Sequence, residues 1–134
     1  MDTADILTLR LAETIGIFLI AAGAGGLIAP DRWRAVLGDM ERSPGLILAF
    51  AIIDFALGAT ILLVHCSFAD PLAGVVTVIG LAGAVEGLLL FVFPQALLAF
   101  SRPILDAGRL WAVLALAFGA ALLLLGLTGH AHAL

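Results

Sequence analysis

Four long apolar runs dominate the chain, at 6–29, 45–64, 72–93 and 109–128. Each is about 20 residues or longer, the length a helix needs to cross a hydrocarbon layer of ~30 Å. The pattern predicts an all-α fold: one integral membrane domain over 1–134, with its four spanning helices packed as a four-helix bundle.

The polar stretches between the runs differ in character. The first, Pro30 to Pro44, carries Arg32, Arg34 and Arg42. Within it Trp33, Val36, Leu37 and Met40 recur at helical spacing, with Arg32, Arg34 and Asp39 on other faces. That spacing predicts a short interfacial helix anchored by Arg32, Arg34 and Trp33, the indole at headgroup level. The third stretch, Pro94 to Gly108, holds Arg102, and Arg109 follows it. Leu97, Leu98 and Phe100 predict a second interfacial helix there, ended by Pro103. The middle connection, His65 to Pro71, has no Lys or Arg.

This asymmetry sets an expected orientation. Cytoplasmic loops carry the excess of basic residues, and five of the six arginines lie in or beside the first and third connections. Those two loops are expected in the cytoplasm, and both termini with the middle loop in the periplasm. The first run follows Asp2 and Asp5 rather than a basic segment, and it contains Glu13. It is therefore expected to be a retained span and not a cleaved signal.

The two halves, 6–64 and 72–128, share one plan: span, proline, interfacial helix with arginine, span. Gly26-Leu27-Ile28 before Pro30 is similar to Gly87-Leu88-Leu89 before Pro94, and Ala56-Leu57-Gly58-Ala59 to Ala117-Phe118-Gly119-Ala120. Two spans per half insert both halves the same way up, which predicts a parallel repeat about an axis along the membrane normal.

Composition narrows the setting. The chain is 63% hydrophobic, with mean hydropathy +1.24, well above the soluble norm. There is no Lys, and the abundance of Ala, Gly, Leu and Arg points to a GC-rich bacterial genome and its inner membrane. The net charge of −4 comes with no basic patch, so nucleic acid is not an expected partner. A single cysteine, Cys66, excludes an intrachain disulfide or a CxxC pair.

Val85-Glu86-Gly87-Leu88, Phe93-Pro94-Gln95-Ala96-Leu97 and Gly108-Arg109-Leu110 together resemble the YjeT-like family of small bacterial inner-membrane proteins. The resemblance covers about 79–126 and, more loosely, 16–64. The family has a Trp and a Lys after the proline where residues 95–98 here are uncharged, and Gly25-Gly26 stands in the first half in place of Glu-Gly. The family has no established biochemical activity, so the resemblance implies location and architecture.

Lipid is as apolar as Leu, so the spans must join largely through close packing at small residues. Ala22 with Gly26, Gly83 with Gly87, and Ala115 with Gly119 supply such faces. They suit neighbours within the chain and another subunit equally.

Glu13, Asp54 and Glu86 lie inside the runs, where a bare charge costs at least about 2.5–3.5 kcal/mol. Glu86 stands about 12 Å along the helix from Pro94, and Arg109 starts the next span on the same side. The expected arrangement is a Glu86–Arg109 ion pair that sets helix register; a proton or ion site, or a contact with another subunit, is the alternative. Asp54 lies mid-span with no basic residue in its own helix. Either Arg10 pairs with Glu13 or Asp54 and leaves the other carboxyl neutral, or Asp54 and Glu13 form a site for a proton or cation. A partner protein's cation is the third option. His65, Cys66, His130 and His132 on the periplasmic side have the chemistry of zinc or copper ligands; the expectation is nonetheless no metal and no cofactor.

No arrangement for nucleophilic catalysis stands out, and a non-enzymatic role is expected. Two functions follow. The first is a small accessory or assembly subunit of a larger inner-membrane complex, or a homo-oligomer, surrounded by the lipid bilayer. The alternative is a small oligomeric proton- or cation-coupled transporter using its intramembrane carboxylates.

Overall fold

The computed structural model describes the backbone of residues 3–129 and the side chains of residues 6–129. Among them all regular structure is helical: α1 Thr3–Ile28, α2 Arg32–Arg42, α3 Pro44–Val64, α4 Pro71–Val92, α5 Pro94–Asp106 and α6 Arg109–Thr128. Helices α1, α3, α4 and α6 are long and apolar enough to cross a membrane. Helices α2 and α5 are shorter and amphipathic.

Local chemistry places the helix ends. Pro44, Pro71 and Pro94 each open a helix, where a missing N–H forfeits nothing because no intrahelical acceptor exists. Ser43 Oγ accepts from the Leu46 amide at 3.2 Å, and Asp70 Oδ1 from the Ala73 amide at 2.9 Å, capping α3 and α4. Helix α5 differs from expectation, because it runs through Pro103 to Asp106. The ring removes one backbone bond to the Ala99 carbonyl, but only the final turn lies beyond it. Gly108, at φ +61°, then turns the chain into α6, a conformation open to glycine without strain.

The four long helices do not close into a ring of equal contacts. Helix α6 packs along α1 and α3 packs along α4, each pair antiparallel and extensive; the pairs meet more sparsely through α1 and α4. Glycine makes both tight pairings possible. A Cβ at Gly16 would stand 2.7 Å from the Gly119 carbonyl oxygen, and one at Gly87 would stand 2.8 Å from that of Ala51. At Gly58 a Cβ would run into the Ala84 amide nitrogen. Backbone meets backbone at these points, and the register of each pair is fixed by them.

Two buried clusters sit at opposite ends. Leu9, Ala12, Leu72, Val76 and Leu122 join α1, α4 and α6 near the α3–α4 loop. Leu37, Met40, Ile47, Ala51, Leu90 and Leu98 join α2, α3, α4 and α5 at the other end, without α1 or α6. Large apolar side chains such as Phe18, Leu57, Leu114 and Leu124 point outward, a surface that suits lipid and not water.

One polar tie links the two helix pairs at the loop end. His65, 4% exposed, lies between Thr8 of α1, 2.6 Å from its Nε2, and Thr77 of α4, 3.2 Å from its Nδ1. The Thr77 hydroxyl also donates to the Ser67 carbonyl at 2.9 Å, which holds the loop against α4.

Two expectations follow for thermal unfolding in detergent. Gly58→Val, forced against the α4 backbone, should lower stability by about 1–3 kcal/mol or more, whereas Gly45→Ala, with open space around it, should leave the melting temperature nearly unchanged. His65→Ala should cost about 1–3 kcal/mol by removing both threonine bonds, and His65→Asn, which can retain one, should cost less.

Candidate functional site

The glycine seam between α3 and α4 brings two acids together. Asp54 lies one helical turn before Gly58, and Glu86 directly precedes Gly87. With Gly58 and Gly87 pressed on the facing backbones, the Asp54 and Glu86 side chains come close enough to interact and line one cavity. Two neighbouring carboxyl groups can be bridged only through a proton or a cation, since carboxylates only accept.

The acids line a part-open cavity of about 200 Å³. Phe50, Asp54, Glu86 and Leu90 form one wall from α3 and α4. Helix α2 contributes Trp33, Val36, Leu37 and Met40, and α5 contributes Leu97, Leu98, Ser101 and Leu105. No arginine lines it, and the chain has no lysine. Among the described residues, therefore, no cationic side chain lines the cavity beside the acids.

Above the cavity α2 and α5 lie antiparallel and are joined by charge. Arg34 Nε sits 3.2 Å from Asp106 Oδ1, and Arg102 pairs with Glu41. Arg34 also pairs with Asp31 at 3.4 Å, and Arg42 with Asp39 at 2.9 Å.

Glu86 does not meet Arg109, contrary to the sequence-based expectation. The expected pair assumed that α6 packs beside α4; α6 packs along α1 instead, and Arg109 is exposed. Asp54 likewise meets neither Arg10 nor Glu13, because α3 lies against α4. Arg10 Nη1 pairs with Glu13 Oε2 at 3.0 Å at the far end of the molecule. There Glu13 packs over Gly126 of α6, beside a wider opening of about 350 Å³ that Ile6, Leu9 and Thr128 also line. That opening is larger, yet its two charges satisfy each other, so the carboxyl pair is the stronger candidate.

The expected interfacial anchors hold specific places. Trp33 Nε1 donates to the Ala22 carbonyl at 3.3 Å, and its ring lies 5.6 Å from that of Trp111. It thus pins the first turn of α2 to α1 and α6. Arg32 folds over the C-terminal end of α1, its Nη1 2.9 Å from where a Cβ on Gly25 would stand, near carbonyls that favour a cation. Of the histidine and cysteine group, His65 is engaged with Thr8 and Thr77, Cys66 is exposed, and His130 and His132 lie outside the described residues. Among the described residues no three His, Cys, Asp or Glu side chains converge on one point.

Sequence reasoning passed over Ser101 in the cavity, the Thr8 and Thr77 partners of His65, and the α2–α5 ion pairs. The one usable signal lay in spacing, since Glu86 stands beside Gly87 on a predicted packing face; Asp54, one turn before Gly58, had no such signal. Comparison of the chain with protein families, with characterised proteins and with solved structures returns no match.

Proposed function

We propose that this is a small multi-pass membrane protein that takes up and releases a proton or a cation at the Asp54–Glu86 pair, as a coupled transporter of the bacterial inner membrane. The observation that carries the reading is the pair itself: two intramembrane carboxyl groups side by side in a cavity that no arginine lines. Such a pair needs a proton or cation to balance it, and titrates as a unit. The role is non-enzymatic, because the chemistry is ion exchange at carboxyl oxygens.

An accessory-subunit role drew on small-residue faces free to meet a partner. Those faces are accounted for inside the chain, with Gly16, Gly23 and Gly119 in the α1–α6 seam and Gly58, Gly80 and Gly87 in the α3–α4 seam. The transporter reading is therefore preferred.

The arginine distribution supports a cytoplasmic α2–α5 end and a periplasmic His65 end. The parallel repeat accords with the packing, since exchanging the halves maps the α1–α6 pair onto α4–α3 and the Gly26–Ala112 contact onto Gly87–Ala51. Under that correspondence Asp54 matches Ala115 and Glu86 matches Gly25, so the α3–α4 pair alone carries both acids, one from each half. The resemblance of the second half to the YjeT-like family fits this architecture and adds no activity.

Reconstitution into liposomes with an internal pH indicator tests the reading. The protein should speed dissipation of an imposed proton or cation gradient, and Asp54→Asn and Glu86→Gln should each reduce the rate to that of empty liposomes while the melting temperature holds. No flux above empty liposomes, together with extraction from native membranes in a stoichiometric larger complex, would overturn it in favour of the accessory role.

A further inference from the structure

We infer that α5 is a gate between the Asp54–Glu86 pair and the aqueous phase, latched shut against α2 by the Arg34–Asp106 and Arg102–Glu41 ion pairs. The inference rests on the carboxyl pair being the working site, but what it asserts is access, which is measurable without transport.

Position comes first. Leu98 of α5 is buried beside Leu37 and Met40 of α2, and together they form the wall of the cavity opposite the acids. Water arriving from that end of the molecule must pass them.

The latch is electrostatic and reciprocal. Each helix supplies one cation and one anion, and both ion pairs form only when the helices lie side by side. All four side chains are part-exposed, so water and dissolved ions reach them. Screening acts strongly on such pairs: the Debye length falls to about 3 Å at about 1 M salt.

The arm is also free to move. Helix α5 continues neither neighbouring span: Phe93 breaks from α4 at φ −130°, ψ 60°, and Gly108 breaks into α6 at φ +61°. Swinging α5 therefore unwinds no membrane helix. Helix α2 is pinned by the Trp33 bond to Ala22; among the described residues α5 has no side-chain hydrogen bond or ion pair to the spanning helices and meets them through the apolar cluster of Leu98 with Ile47, Ala51 and Leu90. The glycine seams hold each helix pair rigid, and the His65 tie joins the pairs at the opposite end. Motion is left to the α5 end.

Labelling with carbodiimides tests this on the full chain in liposomes at constant pH, with mass spectrometry reading modification of Asp54 and Glu86. On this proposal a water-soluble carbodiimide has to enter past α5, whereas a lipid-soluble one partitions into the bilayer and serves as control. Raising salt should increase water-soluble labelling of the wild-type protein several-fold, and Arg102→Gln should do the same at low salt. Linking Glu41→Cys to Arg102→Cys with a short bis-thiol reagent, in a Cys66→Ser background, should suppress it, and lipid-soluble labelling should stay level throughout. Water-soluble labelling that ignores salt and the cross-link overturns the gate, as does lipid-soluble labelling that rises in parallel, which would signal general opening. Salt-gated labelling without flux would sink the transport reading and leave the gate standing; flux with ungated labelling would do the reverse.

Discussion

Everything in this molecule depends on how closely two helices can approach where burial gives no reward. In water, apolar faces drive helices together; in lipid, a leucine is as well solvated by acyl chains as by a neighbouring helix. What remains is dispersion at short range and the occasional polar bond. The chain answers with glycine at the crossing points, so that the carbonyl of one helix lies where a side chain of the other would otherwise stand. That contact is geometrically unforgiving, and it sets which residues face each other further along the same seam. The juxtaposition of Asp54 and Glu86 is a consequence of the α3–α4 register.

The polar groups divide by end. Near the α3–α4 loop a neutral network of Thr8, His65 and Thr77 joins the helix pairs. At the opposite end charged groups join α2 to α5. Beside the neutral network the pairs also meet through apolar side chains of α1, α4 and α6. The two ends therefore differ in what disturbs them: hydrogen-bond deletion at one, ionic strength at the other.

The helices were largely legible in the sequence, because length and hydropathy mark a span and a proline after a cap marks its start. Which spans pair was not legible. Each is apolar on every side, so no amphipathic face names its neighbour, and the natural assumption that consecutive helices of one half pack together failed for α1 and α6. The errors at the site follow from that one. Glu86, Asp54, Arg109 and Glu13 were all visible as charges out of place, but assigning partners needed the helix order in space. The Arg34–Asp106 and Arg102–Glu41 contacts join residues far apart in the chain, and nothing in local spacing announces them. His65 shows the converse: beside Cys66 it suggested metal chemistry, while its actual partners lie on two other helices.

The pairing of α1 with α6 bears on how the protein comes into being. A ribosome delivers α1 before α6, so α1 enters the membrane with its glycine-lined face uncovered until α6 arrives. Helices α3 and α4, joined by a short loop, complete their seam midway through synthesis. Assembly is thus ordered in time: the α3–α4 pair can form before the α1–α6 pair. For that interval α1 is held in place by its own hydropathy and its contact with α4, and a chain that stops short of α6 presents an open glycine face to whatever else the membrane contains.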